Sequence, residues 1–293
     1  MKKRLVILLI AILVALSVEG VVLYRIYHVN EKEQKKTSTE IKNNEETTEQ
    51  ILEETTEEEP TTEEETTAEP ETQAPETQAP AQQGENPNID PTKPMIALTF
   101  DDGPSAKTTP ILLDALEQYG AHATFFCVGQ NIDGNEDIVR RAHQGGNEIA
   151  NHTMTHVQLT KVDPATLENE IIGTENKIKA ITNQQVVTIR PPYGSVNDEV
   201  MQYIHTPVIL WSLDTLDWKT RNVQSNIESV QQNVSDGDII LMHDIHPESV
   251  EAAVQLIPWL QQQGYQLVTI SELGYYRRGG LTEGPRYGYL PPN

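Results

Sequence analysis

The sequence predicts an α/β domain over residues 94–275, preceded by an apolar N-terminus and an acidic linker. Two observations predict this fold class. From Met95 onward, short apolar runs alternate with amphipathic segments, and polar residues recur where the apolar runs end. Seven such runs at regular spacing favour a closed or nearly closed β/α barrel, and an open doubly wound sheet is the alternative.

Residues 1–27 are predicted to anchor the chain in a membrane. Basic residues at positions 2–4 precede an apolar stretch that runs, with one interruption at Glu19, as far as Tyr24. A basic start stays in the cytoplasm, so the remainder of the chain is expected outside it. The apolar run is long enough to span a bilayer, which favours an uncleaved anchor over a cleaved signal peptide and a secreted protein.

Residues 28–93 are predicted to form a disordered linker. They are rich in Glu, Thr, Gln and Pro, are nearly empty of aromatic residues, and carry a short repeat between Pro70 and Pro80. Of the chain's formal net charge of −23, roughly −14 falls in this segment. This acidic balance excludes nucleic acid as a partner, because each phosphate contact would face like charge.

Within the domain, predicted strands and helices alternate along the chain. Strands are predicted near residues 95–100, 122–129, 148–152, 187–191, 207–213, 238–243 and 266–270. The clearest helices are predicted at residues 109–119, 137–144, 164–182, 223–234 and 247–263. Most of these helices begin after Asp, Pro or Asn, and several end at Gly. Residues 276–293 are predicted to form a flexible tail.

Two adjacent carboxylates follow the first predicted strand. Asp101 and Asp102 lie some fifty residues before a second polar pair, His152 and His156. Asp102 and the two histidines could hold a divalent cation with a position left open for water, while Asp101 could manage that water's proton. A simple turn at the aspartates and a pair of exposed histidines on a helix are the alternatives.

Further polar segments follow the later predicted strands. They begin at Arg190, Asp214 and His243. The structural alternatives are, in the same order, an ordinary bend, a capped helix start and a hydrogen-bonded core pair. In parallel β/α folds, however, functional side chains gather at the carboxyl ends of the strands. Polar groups at five strand ends therefore predict one shared site at the carboxyl ends of the strands, and they indicate a metal-dependent hydrolase.

Five segments, taken in order, resemble the motifs of a known family, the polysaccharide deacetylases (NodB homology, carbohydrate esterase family 4). The resemblance covers about residues 94–275 and implies a distorted seven-stranded β/α barrel. Together with the predicted anchor and linker, it is nearest to the peptidoglycan N-acetylglucosamine deacetylases of Gram-positive bacteria. The segments are Thr99–Pro104, His152–His156, Arg190–Gly194, Asp214–Trp218 and Leu241–Asp244.

The resemblance implies a metal site and a general base. Asp102, His152 and His156 would bind one divalent ion, zinc by expectation, with cobalt or another divalent ion as a substitute. Asp101 would be the base. Arg190 would pair with Asp101 and keep it ionised, as a neighbouring guanidinium does.

The resemblance also implies an acid and a binding pocket. His243 would protonate the leaving amine, and Asp217 would orient it and favour its charged form. The backbone N–H of Tyr193 would stabilise the oxyanion, and Trp218 and Leu241 would surround the acetyl methyl group. The rate should then depend on pH as a bell-shaped curve, with Asp101 on its ascending limb and His243 on its descending limb.

The implied activity is hydrolysis of N-acetyl groups on N-acetylglucosamine residues of peptidoglycan, with release of acetate. Its expected partners are cell-wall glycan and, through the anchor, the membrane, and the protein is expected to act outside the cytoplasm as a monomer. Alternatives within hydrolases are an esterase acting on O-acetylated xylan or another polysaccharide, and a chitooligosaccharide deacetylase. A non-haem iron oxygenase, which shares the two-His, one-carboxylate set, and a silent wall-binding domain are alternatives from other classes.

Overall fold

The computed structural model describes residues 84–292. The predicted anchor, residues 1–27, and the predicted linker as far as residue 83 lie outside the described part of the chain. Within residues 84–292, every helix is too short or too polar to span a bilayer.

A parallel sheet forms the centre of the domain, which confirms the α/β class. Its strands run in the order β3-β2-β1-β6-β5, and β7 pairs with the start of β1. Strand β1 lies at the centre, and all seven of its residues are buried, as expected for a strand that is covered on both faces. The strands are β1 (Met95–Asp101), β2 (Thr124–Cys127), β3 (Glu148–Asn151), β4 (Val208–Ile209), β5 (Leu213–Asp214), β6 (Ile239–His243), β7 (Gln266–Leu267) and β8 (Arg286–Tyr287).

Beyond β3 the sheet continues more loosely than the sequence predicts. The strand predicted at 187–191 is reduced to Ile189, which makes single parallel bridges to Asn151 and to Val208. Two prolines follow Arg190, and a residue without an N–H cannot extend a ladder. Strand β4 pairs with β8 in a separate two-stranded sheet. The closed seven-stranded barrel remains a prediction.

The strand predicted at 207–213 is divided into β4 and β5 because its backbone changes partner. Leu210 N donates to Tyr287 O at 2.8 Å, whereas Ser212 N donates to Ile239 O at 3.0 Å. The first bond joins this segment to the C-terminal strand, and the second joins it to β6. Only short ladders form on either side of the change.

The five predicted helices are present, with ends that match to within one residue. Asp163 and Asn222 cap two of them through side-chain oxygens that accept backbone N–H groups, the bonds that their sequences predict. Short helices and one longer helix, α9, were not predicted. The helices are α1 (Thr109–Tyr119), α2 (Gly129–Ile132), α3 (Glu136–Gln144), α4 (Pro164–Thr182), α5 (Asp198–Met201), α6 (Asp217–Thr220), α7 (Val223–Asn233), α8 (Pro247–Gln262) and α9 (Ile270–Arg278).

The predicted flexible tail is wrong for residues 276–292, which pack against the domain. Helix α9 continues to Arg278, and the segment after it forms β8. Leu290 is completely buried among apolar residues from the inner side of the sheet. Gly237 allows this approach, since a Cβ there would lie 2.2 Å from Leu290 O. Burial of Leu290 and pairing with β4 fix the segment in place.

The core has two main parts, one on each face of β1. Ile96, Leu98 and Phe100 pack beneath the helices, whereas Met95 and Ala97 belong to the inner cluster that also contains Leu290. Because side chains alternate along a strand, the residues at 99 and 101 continue the inner set. This alternation places a carboxylate at the inner end of the central strand.

The chain enters the described domain at the amino ends of the strands. Asp90 N donates to the side chain of Gln266, which starts β7, at 2.8 Å. Asn86 Nδ2 donates to Glu272 of α9 at 2.7 Å. Gly84 lines a cavity of about 340 Å³ together with Glu148, the first residue of β3. The first described residues therefore lie at the opposite end of the strands from Asp101.

Candidate active site

A cavity of about 370 Å³ opens at the carboxyl ends of the strands. It gathers eight of the ten residues that the sequence singled out, and the other two, Arg190 and Asp217, contact the cavity residues from behind. The lining residues are Asp101, Asp102, His152, His156, Tyr193, Trp211, Asp214, Trp218, Leu241 and His243.

Asp102 and the two histidines form a cluster suited to a metal ion. His156 Nε2 lies 3.2 Å and His152 Nε2 lies 3.5 Å from Asp102 Oδ1. The three potential ligand atoms all lie within 4.8 Å of one another. No hydrogen-bond donor of the described residues satisfies Asp102 Oδ1, which is buried. A buried carboxylate oxygen without a donor is the atom that a cation would satisfy.

The protonation states of these residues favour metal binding. Burial acts to raise the pKa of Asp102, but His152 and His156 outweigh it and lower that pKa to about 2. Burial, and then the charge of His152, lower the pKa of His156, which favours its neutral form. His152 Nδ1 lies 2.6 Å from Arg190 O and donates to it, so Nε2 is the ring nitrogen that can bind a metal ion. Two imidazole nitrogens and one carboxylate oxygen therefore fit one divalent ion.

Asp101 is held by a fully buried guanidinium. Arg190 Nη1 donates to Asp101 Oδ1 at 2.6 Å and to Thr99 Oγ1 at 2.8 Å. Arg190 Nη2 donates to Leu210 O at 3.0 Å, and the guanidinium lies 4.1 Å from the centre of the Phe126 ring. Burial lowers the pKa of Arg190, and the Asp101 charge opposes this. The ion pair fixes one carboxylate oxygen and leaves the other facing His152, 3.6 Å away.

His243 forms the second side of the cavity, and a buried carboxylate supports it. Its Nδ1 lies 2.9 Å from Asp217 Oδ1, and its backbone N donates to Asp217 Oδ2 at 2.8 Å. Burial acts to lower the pKa of His243, but Asp217 outweighs it and the net effect raises that pKa to about 9. The charged imidazole is thus favoured at neutral pH, and Nε2 is the ring nitrogen left for other partners.

The remaining predicted site residues shape the rim. Tyr193 has a φ of 62° in the turn that follows two prolines, and the donors inside this turn are Gly194 and Ser195, not Tyr193. The Tyr193 side chain is exposed, and its ring lies 5.0 Å from that of His156. Trp218 is half exposed, whereas Leu241 is buried. An apolar patch therefore borders the charged groups.

Two residues that line the cavity, Trp211 and Asp214, were not among the site residues predicted from the sequence. Trp211 lies where the backbone passes from β4 to β5, and no motif includes it. Its indole packs against Gly194, where a Cβ would lie 3.1 Å from the ring. Asp214 belongs to a motif, but the sequence assigned it no role. Its side chain accepts a hydrogen bond from Leu216 N at 2.8 Å while lining the cavity.

Comparison with known proteins places this geometry among carbohydrate-modifying enzymes. The family model for polysaccharide deacetylase matches residues 88–206. Over 185 residues the chain is 40% identical to the peptidoglycan-N-acetylmuramic acid deacetylase PdaC of Bacillus subtilis, which covers 63% of this chain and 40% of PdaC. The solved structure of PdaC superposes with a TM-score of 0.63 and covers 65% of this chain and 95% of the solved chain.

Two further proteins extend the comparison. A peptidoglycan-N-acetylglucosamine deacetylase of Bacillus cereus is 37% identical over 191 residues, with 62% of this chain and 89% of that protein covered. A family 4 acetyl xylan esterase from Clostridium thermocellum, solved with a cobalt ion, is 31% identical with a TM-score of 0.63, and 67% of this chain and 99% of that chain are covered. The chain spans about two fifths of the length of the first curated relatives it matches.

Proposed function

The chain belongs to the polysaccharide deacetylase family, and on that premise we propose that it is a metal-dependent hydrolase of N-acetyl groups in cell-wall glycan. The expected substrate is the N-acetylglucosamine residue of peptidoglycan, and the products are acetate and a free sugar amine. One observation carries the proposal. Asp101, paired with Arg190, and His243, paired with Asp217, line the same cavity as the three potential metal ligands.

Asp102, His152 and His156 would hold the metal. When bound, a divalent ion here supplies Lewis-acid chemistry to a water molecule and to the acetamide oxygen. Zinc suits two imidazole nitrogens and one carboxylate, and the cobalt ion of the acetyl xylan esterase supports a substitute.

Asp101 acts as the general base. It takes a proton from water as the water oxygen bonds to the acetamide carbon, and it later returns that proton to solvent. Arg190 fixes the direction of Asp101, because its guanidinium donates a hydrogen bond to one carboxylate oxygen and leaves the other free to face the water. The backbone N–H of Tyr193 donates to the oxygen that gains negative charge.

His243 acts as the general acid. The carbon–nitrogen bond breaks with its electron pair on nitrogen, and the charged imidazole gives its proton to that nitrogen. Asp217 orients the ring and maintains its charge. Trp218 and Leu241 enclose the acetyl methyl group.

We also propose roles for the N-terminal segments, a location and an oligomeric state. The apolar residues at 1–27 would anchor the chain in the membrane, or direct its secretion, and residues 28–93 would act as a linker, so the catalytic domain works outside the cytoplasm as a monomer. The strands would close into a distorted barrel. Single bridges at Ile189 and an antiparallel bridge between Asp238 and Tyr289 support closure.

Acetate release separates this function from its alternatives. Zinc-loaded protein should release acetate from purified peptidoglycan faster than from acetylated xylan. The reverse preference would favour the O-deacetylase, for which the acetyl xylan esterase among the relatives is the supporting observation. Release under anaerobic, iron-free conditions excludes the oxygenase. The absence of acetate from every acetylated glycan tested would overturn the proposal.

A further inference from the structure

Gly103, which follows the two aspartates, is pressed against the carboxyl group of Asp244. A Cβ on Gly103 would lie 2.3 Å from Oδ2 and 2.4 Å from Oδ1 of Asp244. Gly103 does not have a positive φ, so no left-handed backbone conformation requires glycine at this position. The lack of a side chain at this position therefore serves to make room for Asp244.

Asp244 lies one residue after His243 and is completely buried. Its Oδ2 accepts a hydrogen bond from Thr109 Oγ1, and its backbone oxygen accepts one from Thr108 Oγ1. Thr109 Oγ1 in turn accepts from Ser105 N at 2.8 Å. These bonds attach the residue after β6 to the whole segment between Gly103 and the start of α1.

The same segment begins with a strained residue. Asp102 has a φ of 74°, a conformation that costs free energy for a residue with a side chain. Such a conformation persists only where neighbouring contacts fix it. Asn131 Nδ2 donates to Asp102 O at 2.8 Å, and Val128 N donates to Gly103 O at 2.9 Å. These two contacts hold the turn from the side of β2, and Asp244 holds it from the side of β6.

Burial of Asp244 is costly, which argues for a role beyond packing. Its Oδ1 is buried without a hydrogen-bond partner among residues 84–292. An unsatisfied buried carboxyl oxygen destabilises the folded state. An apolar residue would avoid this cost and would keep the bond from Thr108 to the backbone oxygen, but it would lose the side-chain bond to Thr109.

We propose that Asp244 is a positioning residue that, seated on Gly103, sets the place of Asp101 and Asp102 relative to His243. The inference rests on the roles proposed above for these three residues. The contact between Gly103 and Asp244 explains why glycine follows the two aspartates and why a carboxyl group follows His243.

Compensating substitutions test the contact. Gly103→Ala should displace the turn and lower both zinc affinity and kcat by about 10–100-fold, the usual loss when support for a ligand is removed. Asp244→Ala should lower zinc affinity by about 10-fold, because the turn loses the side-chain bond to Thr109 and keeps only the bond from Thr108 to the backbone oxygen. The double variant Gly103→Ala/Asp244→Ala should bind zinc more tightly than Gly103→Ala alone, since the clash is gone. Asp244→Asn, which keeps the shape and an acceptor for Thr109, should retain most of the affinity.

Zinc affinity is measured by competition with a chromophoric chelator, alongside kcat, KM and thermal unfolding. Asp238→Ala is the matched control, because Asp238 is a buried aspartate beside the amino end of the same strand, hydrogen-bonded to Ser212 and Ser235. It should lower stability without changing zinc affinity. Wild-type zinc affinity in Asp244→Ala, or multiplied losses in the double variant, would overturn the inference. If wild-type protein binds zinc but releases no acetate, the proposed function fails while the zinc measurements still test the positioning role.

Discussion

At the residue scale, the proposed function gives the two neighbouring aspartates of the cavity different roles, Asp101 as the base and Asp102 as a metal ligand. Asp101→Asn should lower kcat by about 10²–10⁴-fold, because an amide cannot accept the proton of water. Zinc affinity should change little, since the three potential ligand atoms belong to Asp102, His152 and His156. Steady-state acetate release and metal content of the purified variant measure the two effects. Near-normal turnover with bound metal would show that another group is the base.

The His243–Asp217 pair should set the alkaline limit of the activity. In the absence of a bound cation, the pKa of His243 is raised from 6.5 to about 9, so the proposed acid is protonated at neutral pH. Its proton is lost at alkaline pH, and a bound cation would place this loss below about pH 9. Asp217→Asn removes the charge that raises this pKa. The descending limb of kcat/KM against pH should therefore move to lower pH, while the ascending limb stays in place.

The same pair has a linked effect on stability. Because the pKa of His243 is higher in the folded state, the pair stabilises the fold fully below about pH 6.5, and this contribution is lost as pH rises through about 9. A bound cation would offset the part of the shift that comes from Asp101 and Asp102. An Asp217→Asn variant whose alkaline limb coincides with that of the wild type would contradict the role of Asp217 in keeping His243 charged.

Much of the site was predictable because its residues follow strand ends, and the strand ends of a parallel sheet converge. Asp101 and His243 even occupy paired positions on β1 and β6. The place of Trp211 in the cavity and the contact of Asp244 with Gly103 were not predictable, although Asp244 belongs to the last of the five segments. The position of Trp211 depends on a change of backbone partner, and the contact of Asp244 with Gly103 depends on the exact approach of two loops. Trp211 belongs to none of the five segments, and the segment that contains Asp244 gives no sign of its contact with Gly103.

At the scale of elements, helices were predicted more accurately than strands for a physical reason. A helix closes its own hydrogen bonds, so local residues such as the Asp163 cap mark its ends. A strand makes its hydrogen bonds with another strand, so its ends depend on residues that are distant in the sequence. Proline after Arg190 shortens one predicted strand, and the partner exchange near Leu210 divides another. The two-residue strand β8 is too short to show any periodicity.

The C-terminal strand should contribute measurably to stability. Leu290→Ala should lower the free energy of unfolding by about 2–5 kcal/mol, because it leaves a cavity in the inner core. Denaturant titration of the purified domain measures the loss. Ile111→Ala, at a position that is 53% exposed, is the control and should change stability far less. Equal losses in both variants would mean that the segment around β8 is not part of the cooperative fold.

At the scale of the whole molecule, the metal should stabilise the fold that surrounds it. Its potential ligands come from the end of β1 and from the loop after β3, so an ion would link distant parts of the chain. Zinc at 100 times its Kd should add about 2.7 kcal/mol to the free energy of unfolding, and a chelator should remove it. Thermal unfolding at controlled free zinc measures this. His152→Ala should show almost no zinc-dependent shift, and a shift as large as that of the wild type would contradict the assigned ligands.

The attachment of the preceding chain at the amino ends of the strands has a mechanical consequence. Tension transmitted through residue 84 would act first on the contacts of Asn86 with α9 and of Asp90 with β7. The cavity with Asp101 and His243 lies at the other end of β1 and β6, beyond the length of the central strands. Under such tension, the contacts of Asn86 and Asp90 would therefore break before the cavity was distorted.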